Sequence, residues 1–132
     1  MDSKLEQIAA MCFSSSQSGS MSFPEIVAVL SQAGFESFTV DFRQTQATYY
    51  LPNNDSVGFQ ALALGGAIAT TFDKRAVELA IREAQHNAAD YTYLGFCAKV
   101  RAAGCAGYIV SFLGRRVVYY GRTAELHVEP FP

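Results

Sequence analysis

The sequence predicts an α+β domain in which two tandem helix–hairpin–strand repeats form an antiparallel sheet with helices packed mainly on one face. Three observations point there. A pattern recurs at a spacing of 70 residues: Phe23, Ala33-Gly34, Phe38, Val40, Phe42 and Tyr49-Tyr50 return as Tyr93, Ala103-Gly104, Tyr108, Val110, Phe112 and Tyr119-Tyr120. One fixed offset without insertion implies one folding unit used twice. Helix-start signals precede each Ala-Gly, and period-two alternation follows it. The repeats cover residues 21–60 and 91–130, joined by a linker and helix over 61–90, within a single domain 1–132.

Over residues 3–13, Leu5, Ile8, Ala9, Cys12 and Phe13 recur at helical spacing, and the serine-rich stretch 14–22 is expected to end that helix. Ser22-Phe23-Pro24-Glu25 then reads as a capping box, with Met21 and Ile26 as its staple and Pro24 in the first turn. Thr92 is the corresponding cap, with Tyr91 and Phe96 as staple, although Gly95 removes half of the box. Both helices end at glycines, Gly34 and Gly104, which enter the left-handed conformation cheaply.

In the first strand Phe38, Val40 and Phe42 alternate with Thr39, Asp41 and Arg43. Its counterpart alternates Tyr108, Val110 and Phe112 with Ile109, Ser111 and Leu113, so its second face is also apolar and needs a cover: the N-terminal helix, the linker or another subunit. A homodimer is therefore an expected partner. Turns at Gln44-Thr45 and Gly114-Arg115 lead into strands over 47–51 and 117–121, and third strands are expected over 56–59 and 125–129. Between the repeats Asp73 caps a helix reaching His86, with Ala76, Val77, Ala80, Ile81 and Ala84 as its apolar stripe. Lys74, Arg75, Glu78, Arg82 and Glu83 form its charged side, which reads as solvated, with a Glu78–Arg82 pair.

Half of the 132 residues are apolar and 17% are charged, enough to fill one core. A net charge of −2 supplies no basic footprint, so nucleic acid is not an expected partner. The longest apolar stretch, 61–69, spans about half of what a bilayer needs, so no membrane partner is expected. Cys12, Cys97 and Cys105 are odd in number without a Cys-x-x-Cys, which indicates neither a disulfide framework nor a zinc site and fits a cytoplasmic location. The opening residues Met1–Gln7 hold two acids and no basic segment, so no secretory signal is expected.

Two groups are candidates for chemistry. In each tyrosine doublet one ring enters the core and the other faces outward, so Tyr50 and Tyr120 are expected to line a cleft at the pseudo-twofold axis for a flat, partly polar small-molecule ligand. Glu125, His127 and Glu129 alternate with Leu126 and Val128, placing two carboxylates and an imidazole on one face of a terminal strand, suited to proton transfer or a divalent metal, while a solvent-facing strand with an apolar inner side has the same pattern. Cys105 reads as a buried, inert thiol, and Gly65-Gly66 as a hinge, since a phosphate loop would need a lysine and a strand–helix context. No catalytic motif emerges and no cofactor is expected. The function expected is a noncatalytic binding or interaction module, the alternative a small enzyme or metal-binding protein using Glu125, His127 and Glu129.

Phe23-Pro24-Glu25, Ala33-Gly34, Val40-Asp41, Thr48-Tyr49-Tyr50-Leu51-Pro52, Ala103-Gly104, Val118-Tyr119-Tyr120-Gly121 and the ending Glu129-Pro130-Phe131-Pro132 resemble the YbcV-like family of bacterial domains of unknown function. The resemblance spans most of the chain. It implies a small α+β domain and carries over no reaction, substrate or catalytic residue.

Overall fold

The computed structural model describes residues 1–61, 66–86 and 89–132; Gly65 of the expected hinge lies outside them. Helix α1 spans Ser3–Ser18, capped by Asp2, whose carboxylate accepts from the Lys4 amide at 2.7 Å. It runs five residues beyond the expected end. Serine in a helix costs only a few tenths of a kcal/mol relative to alanine, and Ser16 donates back to the Phe13 carbonyl at 2.8 Å, so its hydroxyl does not compete with the helix. The helix stops where Gly19 turns left-handed, at φ 77°.

Helix α2, Phe23–Ala33, carries the capping box: the Glu25 amide donates to Ser22 Oγ at 3.3 Å, and the Ser22 amide donates to Glu25 Oε1 at 3.0 Å. Strands β1 (Ser37–Asp41), β2 (Gln46–Tyr50) and β3 (Ser56–Gln60) follow. Helix α3, Lys74–Gln85, is capped by Asp73, and α4, Tyr93–Ala102, by Thr92. Strands β4 (Cys105–Ser111), β5 (Arg116–Gly121) and β6 (Leu126–Pro130) complete the chain. Each trio of strands is thus preceded by two helices, α1 and α2 or α3 and α4.

All six strands form one antiparallel sheet in the order β3-β2-β1-β4-β5-β6. The two trios meet at β1 and β4, where Thr39 faces Ile109, Phe38 faces Val110 and Val40 faces Tyr108. The helices cover one sheet face. Leu30, Val77, Val100 and Val110 are fully buried between the layers, in one apolar cluster drawn from both trios.

Among the described residues nothing covers the opposite face, so of the three covers expected neither the N-terminal helix nor the described part of the linker supplies one. Ile109 is 41% exposed, Leu126 54% and Val128 42%. Those last two values also correct the reading of β6. Because cross-strand neighbours share a face, the pairing of His127 with Tyr119, a core residue, turns His127 and Glu129 toward the helices and Leu126 and Val128 outward. No helix among the described residues is long and apolar enough to cross a membrane.

Candidate functional site

A partly enclosed cavity of about 1030 Å³ lies between the helices and the central strands. Its floor is the core-facing side of the sheet, including Phe38, Tyr49, Tyr108 and Tyr119. One wall is α4, where residues four apart share a face, so that Tyr93, Cys97 and Arg101 form a stripe along the lining. The C-terminal part of α1, the first turn of α2 and the final residues Glu129–Pro132 close the remaining sides.

The cavity is mainly apolar, with polar groups among its rings. The hydroxyls of Tyr93 and Tyr108 lie 2.6 Å apart. Burial raises both phenols well above the ordinary tyrosine pKa, so they remain neutral donors. Burial likewise raises Tyr49 and Tyr119. The Cys97 thiol, one turn along α4 from Tyr93, is pushed up to about 11, chiefly by burial. Arg101 is 7% exposed and donates from Nη2 to the Gly66 carbonyl at 2.7 Å.

Beside the cavity, His127 lies between two carboxylates. Its Nε2 is 3.1 Å from Glu129 Oε1, and its Nδ1 is 3.5 Å from Glu78 Oε1 on α3. Arg82 Nη1 reaches Glu129 Oε2 at 3.6 Å, and Gln85 donates to the same oxygen at 3.4 Å. The His127 ring stacks on Tyr119, centroids 6.3 Å apart. A neutral imidazole donates from one nitrogen only, so it can serve one carboxylate as donor and the imidazolium both.

The structure joins two residues of the expected trio and omits the third. Glu125 precedes β6, is exposed, and accepts from Thr123 Oγ1 at 2.7 Å. Glu78 takes its place, from the helix side expected to be solvated, and the ion pairs there run from α3 to β6 rather than from Glu78 to Arg82. Among the described residues no group of three or more His, Cys, Asp or Glu is arranged to hold a metal ion.

Tyr50 and Tyr120 face outward as expected, yet they line no common cleft. Tyr50 sits beside Ser37 and Tyr120 beside Gly107, the partner of Asp41, so they occupy opposite ends of the β1–β4 pair. Four residues along a strand and three strand spacings across separate them, about 13 Å by 14 Å. Tyr120 packs over Gly107, where any Cβ would meet its hydroxyl. The rings at the cavity are their sequence neighbours Tyr49 and Tyr119, with Tyr93 and Tyr108. Cys105 is buried, donates to the Gly107 carbonyl at 3.1 Å and is raised to about 11 by burial, as an inert thiol should be. Sequence reasoning missed Arg101; its only signal was a cation on the same helical face as Tyr93 and Cys97. Comparison with protein-family models finds no match to this chain, and comparison with curated proteins finds none either.

Proposed function

We propose that this protein is a noncatalytic, cytoplasmic module that binds a small, largely apolar molecule between its helices and its sheet. One observation carries the reading: the cavity of about 1030 Å³, mainly apolar and lined by aromatic rings with polar groups among them. Ligand sites are concave, mostly apolar and sparingly polar, and interiors otherwise leave few voids larger than a water. The neutral dye N-phenyl-1-naphthylamine, which brightens in apolar surroundings, tests it. It is expected to bind one per chain, and Ala84→Trp, which places a large ring on the lining, is expected to weaken binding at least tenfold without lowering Tm by more than a few degrees. Absence of dye binding by the folded wild type, or equal binding by the two proteins, would overturn the reading.

A second reading concerns the opposite sheet face, which exposes Ile109, Leu126 and Val128. The occupant that suits it is a second copy of this chain. Six strands about 4.8 Å apart and five residues long present roughly 490 Å² in projection, hence about 1,000 Å² for two copies face to face. That is the lower bound for a specific interface, so the homodimer proposed is a weak one.

A further inference from the structure

Resting on the cavity reading, we infer that the ligand presents a carbonyl-type oxygen to the Tyr93–Tyr108 hydroxyl pair. The argument is a count of protons. Tyr93 and Tyr108 share one hydrogen bond, at 2.6 Å. Two hydroxyls with one O–H each share that one contact, so one phenol hydrogen remains without an acceptor whichever of the two donates. Neither hydroxyl has another hydrogen bond among the described residues.

A buried donor left unmatched is costly, and both phenols line the cavity, so the acceptor best placed to receive that hydrogen is one that enters it. With Tyr93 donating to Tyr108, the spare hydrogen is the Tyr108 phenol; with Tyr108 donating to Tyr93, it is the Tyr93 phenol. A ligand oxygen selects between them.

The surroundings favour an acceptor over a donor. Arg101, on the same α4 stripe, places a buried guanidinium on this lining. The carboxylates on the lining are already engaged: Glu25 by the Ser22 amide, Asp41 by the amides of Arg43 and Gln44, and Glu129 by His127, Arg82 and Gln85. Phe38, Phe42 and Phe96 supply ring faces around Tyr108 and Tyr93, which suits a planar body. The ligand class is therefore a planar apolar molecule bearing a ketone, ester or similar carbonyl.

Displacement of N-phenyl-1-naphthylamine by 2-acetonaphthone and by 2-ethylnaphthalene, equal in shape and differing in the oxygen, tests the inference. Wild type should prefer 2-acetonaphthone by roughly 3- to 10-fold, the worth of one neutral hydrogen bond. Tyr93→Phe and Tyr108→Phe should each shrink that preference toward unity while holding 2-ethylnaphthalene as before, the latter showing an intact cavity. Equal affinity of wild type for the two probes, or an undiminished preference in both variants, would overturn it. Failure of wild type to bind dye or either naphthalene would instead remove the cavity reading and this inference with it.

Discussion

Gly34 and Gly104 look alike in sequence, each after an alanine at a helix end, and both adopt positive φ, at 105° and 98°. Their surroundings differ. A Cβ on Gly34 would meet nothing within 4 Å, whereas one on Gly104 would strike the Thr71 carbonyl and come within 2.8 Å of Phe72 Cα. Gly34→Ala is accordingly expected to cost about 1–2 kcal/mol, the left-handed penalty alone, and Gly104→Ala about 3 kcal/mol or more, since backbone must also move. Urea unfolding of the two variants checks this; equal losses would show that the close approach carries no energy. The conformational need was legible in the sequence because it is local. The crowding was not, since Thr71 and Phe72 are more than thirty positions away. His127 was misread for the same reason: alternation divides β6 into two sets of side chains, but only the pairing with Tyr119 and the arrival of Glu78 from α3 decide which set faces inward.

Among elements, helix starts were the most legible because their chemistry lies within four residues. The reciprocal bonds of Ser22 and Glu25 are both present, while Thr92 accepts from the Gly95 amide at 3.0 Å with nothing returned. Ser22→Ala is expected to lower stability by about 1 kcal/mol, as a shift of the denaturant midpoint at constant slope. A changed slope would mean that the first turn of α2, which also walls the cavity, had reorganised. Helix ends were less legible. The serines of α1 were read as a break, although their propensity penalty is small against what tertiary packing supplies; Ala9 and Cys12, both fully buried, hold that helix to the core. The cavity could not be read from any single element, because its walls come from α1, α2, α3, α4 and the last residues of the chain.

At the scale of the whole molecule, the 70-residue spacing places the outermost strands well: Ser56–Gln60 and Leu126–Pro130 stand 70 apart. The apolar second face of β4 was legible separately, from Ile109 and Leu113 standing where the first copy has Thr39 and Arg43. The helices gather on one face as the expected fold class required; what the sequence left open was the cover of the other face, and among the described residues Ile109 lies near the middle of an open surface there. If that surface joins two copies, sedimentation should show a monomer–dimer equilibrium in the micromolar range or weaker, abolished by Val128→Lys with the fold retained. A wild-type chain that stays monomeric at millimolar concentration would end the dimer reading.

The strand order leaves β3 and β6 with one unpaired side each, and these rims are poor templates for further strands. Each is five residues long; β6 ends at Pro130, which lacks an amide hydrogen, while β3 opens after Asp55 and is interrupted by Gly58. Growth into ribbons by rim-to-rim addition is thereby discouraged, so if two copies do stack broadside on the open face, their association is expected to stop at a closed pair rather than run on as a filament.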